Sequence, residues 1–280
     1  MKIIERVHRG AWERAASAVV LTFDPHPTRV LRPDKAPKLL MTEAQKLEAL
    51  DRAAMHGVAI VRFTADLSMW TPEQFVQRVL ADWLHVSEVW VGANFTFGHD
   101  RAGTFSVLRA LGAQHGFRAE KIDPVRYKDF VVSSTRIRRL VGEGRVDEAA
   151  ALLGRQYFID GIVVPGDARG RELGFPTANL RTDNELLPPY GIYATVARVG
   201  AVLCPAVTSI GVRPTFGEGL DASIETHLLT HGRDLYGERL RLHFVKRLRD
   251  ERTFDSVDAL TRQIALDCET ARLLFDHVSV

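Results

Sequence analysis

Hydrophobic and polar residues follow two different patterns along the 280-residue chain, and the change comes near residue 154. Before it, short apolar runs alternate with longer segments whose apolar residues recur at helical spacing. Short runs are typical of buried strands, so this order predicts a doubly wound parallel sheet. The predicted strands cover residues 17–23, 58–63, 88–91 and 117–122, and the predicted helices cover residues 42–56, 105–115 and 146–153, with two more opening at Thr71 and Ser133.

Capping residues set the expected helix ends. Thr71 followed by Pro72 is typical of a helix start, because proline is favoured at the first helical position. Gly57, Gly116 and Gly154 follow predicted helices, and we expect them to end those helices, Gly57 as a left-handed cap.

After Gly154 the apolar residues recur with period two, which predicts a small antiparallel barrel. In the strand at 222–229, Ile224 and Leu228 mark the core side, so Glu225 and His227 are expected to face the other side. The pattern predicts strands at residues 157–164, 191–199, 207–210, 222–229 and 240–246, and a terminal amphipathic helix at 256–275. We therefore predict an α/β domain over residues 1–154 and a β-barrel domain over residues 155–280.

Charge and composition exclude several classes of function. The formal net charge of +2 argues neither for nor against a nucleic-acid partner, and the basic residues are dispersed rather than in runs. We expect no nucleic-acid partner. Apolar runs are too short for a signal peptide or a membrane span, so we expect no membrane partner. Cys204 and Cys268 form no disulfide or zinc pattern; a cytoplasmic setting and a packing role for both thiols are expected. The sequence does not indicate an oligomeric state.

A glycine-rich stretch ending in Phe175-Pro-Thr-Ala-Asn179 offers the clearest chemistry. Its glycines leave backbone N–H groups uncovered, and successive N–H groups bind anions. Its two arginines suit phosphate, and Thr177 and Asn179 offer oxygen ligands that Mg²⁺ accepts beside phosphates. A plain turn between strands is the alternative. The candidate phosphate-binding residues are Gly166, Arg169, Gly170, Arg171 and Gly174.

Further candidates in the first domain follow predicted strands or precede a helix. Asp24 and His26 come after the first strand, where open α/β sheets bind ligands, although a rigid proline turn is the alternative. Asn94 lies in a loop whose aromatic residues either stack on a planar ligand or simply pack. The predicted helix that opens at Ser133 has two interpretations: its N-terminus binds phosphate, or its first residues only cap the helix. The candidate residues there are Ser133, Ser134, Thr135 and Arg136.

The second half of the chain resembles riboflavin kinase over residues 157–267. The resemblance rests on the motifs Gly166-Asp-x-Arg-Gly-Arg-x-Leu-Gly-Phe-Pro-Thr-Ala-Asn179, Ile210-Gly-x-Arg-Pro-Thr-Phe-Gly217, Ile224-Glu-Thr-His-Leu-Leu229, Leu235-Tyr-Gly237 and Arg249-Asp-Glu-x-x-Phe254. It implies transfer of the γ-phosphoryl group of ATP to riboflavin to give FMN. It also implies that Thr177 and Asn179 hold Mg²⁺ and that Glu225 is the general base.

The first half resembles the FMN adenylyltransferase module of bacterial bifunctional FAD synthetases. The matching pieces are Thr22-Phe-Asp-Pro-His-Pro27, Val91-Gly-x-Asn-Phe-x-Phe-Gly98 and Ser133-Ser-Thr-Arg-Ile-Arg138. The resemblance implies that His8 binds the nucleotide together with the first-domain candidates Asp24, His26, Asn94, Ser133, Ser134, Thr135 and Arg136. The family begins with a mid-sheet strand and a Gly-Asn-Phe-Asp-Gly-Val-His-x-Gly-His turn, whose histidines bind ATP phosphates at a helix N-terminus.

This chain departs from that pattern, because it offers only His8, with Ala11 in place of the second histidine. We expect that the chain either starts within the ancestral reading frame or carries an internal deletion. Residues 1–7 are then expected to form a shortened strand in place of the family's first strand. Without the missing strand, an unpaired edge is expected beside the site.

Three functional hypotheses follow. The leading one is a riboflavin kinase linked to an adenylyltransferase module with weak or absent FAD synthesis. The second is an enzyme that makes both FMN and FAD, and the third is a flavin-nucleotide binding protein without catalysis. The expected ligands are ATP, Mg²⁺, riboflavin and FMN, with FAD as a possible product.

Overall fold

The computed structural model describes residues 2–166, 169–213, 221–230 and 234–275. The chain divides into two compact units, one formed by residues 1–37 and 43–131, the other by residues 38–42 and 132–280. The domain boundary at Gly154 stays a prediction. Residues 134–153, which the sequence analysis gave to the first domain, fall in the second unit.

The first unit is an α/β fold with parallel strands. Its elements are α1 (Lys2–Glu13), β1 (Val19–Asp24), α2 (Pro27–Leu31), α3 (Glu43–Arg52), β2 (Gly57–Arg62), α4 (Ala65–Ser68), α5 (Pro72–Phe75), β3 (Glu88–Gly92), α6 (Phe105–His115), β4 (Arg118–Ile122), β5 (Arg126–Tyr127) and β6 (Phe130–Val131). A π-helical segment, Val76–Ala81, follows α5 directly. Among the described residues, β1 pairs with β2 and β3 pairs with β4, so the parallel strands form two pairs rather than one continuous sheet.

The expected substitute strand at residues 1–7 is wrong, because residues 2–13 form helix α1. The physical reason lies in the spacing of Ile4, Val7 and Ala11, which places their side chains on one face of a helix. Ala11 is buried on that face, while the charged residues Arg9 and Glu13 near it are exposed. This helical period was overlooked in the sequence.

Gly57 is not the left-handed cap that was expected. The chain leaves α3 through Ala54, whose φ is +54°, and the Met55 N–H donates to the Leu50 carbonyl at 3.1 Å. Gly57 is instead the first residue of β2. The caps at Gly116 and Gly154 are confirmed, with φ of +80° and +71°.

The second unit is built on a closed barrel, as predicted. Its elements are α7 (Ser134–Gly142), α8 (Val146–Leu153), β7 (Tyr157–Val164), α9 (Arg169–Glu172), β8 (Ala178–Thr182), β9 (Gly191–Val199), β10 (Val202–Arg213), β11 (Asp221–Leu228), β12 (Arg239–Arg249) and α10 (Val257–Phe275). The barrel strands follow the order β10-β11-β8-β7-β12-β9, and β9 pairs with β10. The fold class is confirmed. Strand β8 was not predicted.

Two apolar layers hold the barrel and its terminal helix together. The interior contains large fully buried side chains such as Tyr193, Phe244 and Leu242. On the outside, α10 covers apolar residues of β9 and β10 through Cys268 and Ala271. Cys204 and Cys268 are both buried and are not joined in a disulfide, as expected of packing residues.

In the part of the chain that the structure describes, every helix is either too short or too polar to span a bilayer.

Candidate active site

Glu225 is the centre of the candidate kinase site. It lies on β11, where Asn179 of β8 is its partner in the antiparallel register. The Thr177 hydroxyl lies 3.5 Å from a Glu225 carboxylate oxygen. The structure therefore brings together the three residues for which the family resemblance implies the metal and general-base roles. The roles themselves stay predictions.

Strand alternation decides which way Glu225 points. Ile224, Thr226 and Leu228 are buried in the barrel, whereas Glu225 and His227 are only partly buried. Because neighbouring side chains of a strand point to opposite faces, Glu225 faces away from the barrel core. The sequence prediction for this strand is confirmed.

Two glycines allow the chain to pass close to the predicted metal ligands. A Cβ atom on Gly166 would overlap the side-chain amide of Asn179. A Cβ atom on Gly170 would overlap the Phe175 carbonyl and lie 3.2 Å from the Thr177 hydroxyl. The glycines thus serve close packing of the loop against these ligands, in addition to the predicted exposure of N–H groups.

The loop between Gly170 and Thr177 folds back on itself. The Phe175 N–H donates to the Gly170 carbonyl at 2.7 Å, and the Gly174 N–H donates to the Arg171 carbonyl at 3.2 Å. Gly174 has a φ of +82°, a conformation that favours glycine. Arg171 is exposed. The side chain of Arg169 lies outside the described residues, as do residues 214–217 of the 210–217 motif.

Sequence reasoning missed the polar residues that surround Glu225. The Ser223 hydroxyl donates to Glu225 at 3.1 Å. Ser209 of β10 is the cross-strand partner of Glu225, and its hydroxyl donates to Glu251 at 3.3 Å. Because Ser223 and Glu225 are two positions apart on one strand, alternation alone places them on the same face. The position of Ser209 beside Glu225 depends on the register of β10 against β11, which no local pattern gives.

In the first unit, β1 ends at Asp24, and His26 caps helix α2. The Nδ1 atom of His26 accepts a hydrogen bond from the Thr28 N–H at 3.2 Å. Asn94 is exposed in the turn after β3. Phe95 and Phe97 stack on each other with ring centroids 5.4 Å apart, and Phe97 also contacts a core phenylalanine. Plain packing therefore accounts for these two rings.

The remaining candidates lie on two helices in different units. Ser133 caps α7, and its hydroxyl accepts from the Arg136 N–H at 3.3 Å, while Ser134 and Thr135 are exposed in the first turn. His8 lies in the middle of α1, and its Nε2 atom is 3.0 Å from the Ala53 carbonyl oxygen. His8 therefore does not lie at a helix N-terminus, where the histidines of the family pattern bind phosphate, and its nucleotide-binding role stays a prediction.

Comparison with known proteins decides the family. A family model described as riboflavin kinase matches residues 153–275, and one described as FAD synthetase matches residues 1–136. A bifunctional riboflavin kinase/FMN adenylyltransferase from Bacillus subtilis is 34% identical over 282 residues, covering 99% of this chain and 88% of that protein. The chain belongs to the riboflavin kinase/FMN adenylyltransferase family.

Other members of this family show similar agreement. The Escherichia coli bifunctional riboflavin kinase/FMN adenylyltransferase is 35% identical over 264 residues, covering 94% of this chain and 84% of that protein. Among solved structures, a macrolide-efflux protein from Streptococcus pneumoniae is similar with a TM-score of 0.88 and 28% identity, covering 97% of this chain and 88% of that chain. That similarity supports the fold described above.

Proposed function

We propose that the protein is a riboflavin kinase, which transfers the γ-phosphoryl group of ATP to the terminal ribityl hydroxyl of riboflavin and forms FMN. The observation that carries this proposal is the pairing of Glu225 with Asn179, with the Thr177 hydroxyl 3.5 Å from the carboxylate. Family membership supports the same activity, since the relatives are named for it.

The donor atoms at this site fit Mg²⁺. A hydroxyl, an amide oxygen and a carboxylate are all hard oxygen ligands, and Mg²⁺ is usually held by few protein ligands together with substrate phosphates and water. Thr177 and Asn179 would hold the ion. When bound, Mg²⁺ would neutralise negative charge on the phosphates of ATP.

The residues of the chain would position and deprotonate the nucleophile. Glu225 accepts the proton of the ribityl hydroxyl while the hydroxyl oxygen forms its bond to the γ-phosphorus. The bond from that phosphorus to the β–γ bridging oxygen breaks, and ADP leaves with the electron pair. The hydrogen bond from Ser223 orients the carboxylate for this step.

Replacing the carboxylate tests the kinase proposal. Glu225→Gln keeps the shape but removes the base, so turnover should fall by ~10²–10⁴, the usual contribution of a positioned base. A steady-state assay of FMN formation measures it. Glu269→Gln, an exposed glutamate on α10, is the matched control and should keep wild-type turnover. Near-unchanged turnover of Glu225→Gln would remove Glu225 from this role.

We further propose that FMN adenylyltransferase activity is present only weakly. The relatives carry that activity in their names. In this chain, residues 8–11 lie within helix α1, and Ala11 has no side-chain donor for the phosphates of ATP. In other enzymes, removing one donor fixed against developing charge costs ~2.7–4 kcal/mol, so the lack of such a donor here should slow adenylyl transfer strongly.

A product analysis tests the second proposal. Purified protein incubated with riboflavin, ATP and Mg²⁺ should accumulate FMN with little FAD when the flavins are resolved by chromatography. Rapid conversion of FMN to FAD would contradict the proposal and indicate a fully bifunctional enzyme. If neither product formed, a binding function without catalysis would be favoured.

A further inference from the structure

We infer that His227 is a positioning residue of the kinase site, which holds the predicted metal ligand Thr177 in place through the backbone of Pro176. This inference rests on the proposed kinase function and extends it to a residue with no assigned role. The Nδ1 atom of His227 lies 2.8 Å from the Pro176 carbonyl oxygen. Pro176 immediately precedes Thr177 in the chain.

The direction of this hydrogen bond follows from the chemistry of its two atoms. A carbonyl oxygen can only accept, so Nδ1 of His227 must carry a proton and donate. Both the neutral Nδ1–H tautomer and the charged ring can do so. The bond therefore needs a donor at this atom and does not need a charge.

His227 completes a three-point attachment of the loop. The ring of Phe175 packs edge-on against the His227 ring, with centroids 5.5 Å apart, and also packs on the apolar layer beneath α10. The Phe175 N–H is bonded to Gly170. These contacts fix residues 170 and 175, and His227 fixes residue 176, the last backbone unit before the metal ligand.

Strand β11 supplies both ends of this arrangement. Glu225 and His227 are two positions apart and project from the same face of the strand. Glu225 lies 3.5 Å from the Thr177 hydroxyl, and His227 holds the residue before it. A single strand thus fixes the distance between the general base and the residue that would hold Mg²⁺.

Two variants of equal shape separate the hydrogen bond from packing. His227→Leu keeps an apolar side chain against Phe175 but has no donor. His227→Asn has the same branched skeleton and places an amide N–H near the position of Nδ1. The comparison therefore isolates the bond to the Pro176 carbonyl.

We expect His227→Leu to lower kcat by ~10–100-fold, because a small displacement of a catalytic group has an effect of this size. The half-saturating Mg²⁺ concentration should rise with it, and the KM for riboflavin should change less. His227→Asn should recover most of the lost turnover. Equal kcat in His227→Leu and wild type, or equal loss in both variants, would overturn the inference.

Amide hydrogen exchange of the substrate-free protein gives a second readout that does not depend on activity. The Phe175 N–H should exchange faster in His227→Leu than in His227→Asn, because the loop opens more often without its anchor. Equal exchange in the two variants would count against the inference. If wild-type protein made no FMN, the kinase proposal would fail, and the exchange comparison would still decide whether His227 holds the loop.

Discussion

At the scale of single residues, a chain of hydroxyls crosses the barrel interior. Thr195, Thr208 and Thr226 are all buried, with oxygen–oxygen distances of 2.8 Å and 3.0 Å between successive hydroxyls. The Thr195 hydroxyl donates to the Ala206 carbonyl at 3.3 Å, so Thr208 must donate to Thr195 and Thr226 to Thr208. Each hydroxyl has one proton, and each of the three protons is donated in one of these hydrogen bonds.

Breaking this chain in the middle should destabilise the barrel. Thr208→Val leaves the buried Thr226 hydroxyl without its acceptor, which costs about 1–3 kcal/mol of unfolding free energy. Urea unfolding followed by circular dichroism measures the loss. Replacing all three threonines by valine removes every orphaned group, so that variant should be less destabilised than the sum of single changes. A single variant as stable as wild type would contradict the prediction.

His243 makes the barrel sensitive to acid. Burial lowers the pKa of His243 to about 4, and the positive charges of Arg241 and Arg198 act in the same direction. In the unfolded chain the pKa of a histidine is ~6.5, so at pH values between 4 and this value the unfolded state binds one proton more than the folded state. The stabilisation is complete above ~6.5 and is lost as pH falls towards 4.

Unfolding free energies at two pH values test this coupling. From pH ~7 to ~5 the wild-type protein should lose about 2 kcal/mol through His243 alone. His243→Gln cannot take up the proton, so its loss over the same interval should be smaller by that amount. Equal losses in the two proteins would show that His243 is not the responsible group.

At the scale of elements, one ion pair fixes the terminal helix to the barrel. Arg249 at the end of β12 donates to both carboxylate oxygens of Asp267 on α10, at 2.8 Å to the nearer one. Gln263 donates to the same carboxylate at 2.9 Å. The Asp267 side chain is only 6% exposed.

Removing one charge of this pair should be far more costly than removing both. Asp267→Ala leaves a partly buried guanidinium uncompensated, which typically costs ~3–5 kcal/mol, whereas an apolar pair is often tolerated. The double variant Arg249→Met/Asp267→Leu should therefore be more stable than Asp267→Ala. Thermal unfolding of the three proteins decides it, and a double variant less stable than the single one would refute this explanation.

The sequence predicted some elements better than others. Helices α6 and α8 begin and end where predicted, because glycines with positive φ end both. Strand β10 begins five residues earlier than predicted, since Pro205 lies inside it despite the usual exclusion of proline from strand interiors. Helix α1 was overlooked in favour of a strand, and β8 carries too few apolar residues to show a period.

The candidate site was predictable only as far as local patterns reach. Alternation placed Glu225 on the outer face, and the motif ending in Asn179 gave the two oxygen ligands. Their meeting depends on the register of β11 against β8, as does the contact of His227 with the Pro176 carbonyl. Such long-range pairing leaves no trace in a local sequence window.

At the scale of the whole molecule, the two proposed activities belong to different parts of the chain. The FAD synthetase match ends at residue 136, and the riboflavin kinase match begins at residue 153. A point substitution in one half of the chain should therefore abolish one of the two activities and leave the other unchanged.

Glu225→Gln offers a direct test of this separation. It should block FMN formation from riboflavin but leave the conversion of supplied FMN to FAD at the wild-type rate, however low, because no adenylyl transfer step uses this carboxylate. Chromatography of reactions started from riboflavin or from FMN measures both. A parallel loss of the two activities would show that they share a site or require each other.

The division of the chain at residue 131 also separates its tryptophans from most of its tyrosines. All four tryptophans, at positions 12, 70, 83 and 90, belong to the first unit, and four of the five tyrosines belong to the second. Emission excited selectively from indole thus reports on the α/β unit alone, and the barrel is visible chiefly through its phenols. A two-colour melting curve can follow each unit without labels or added probes.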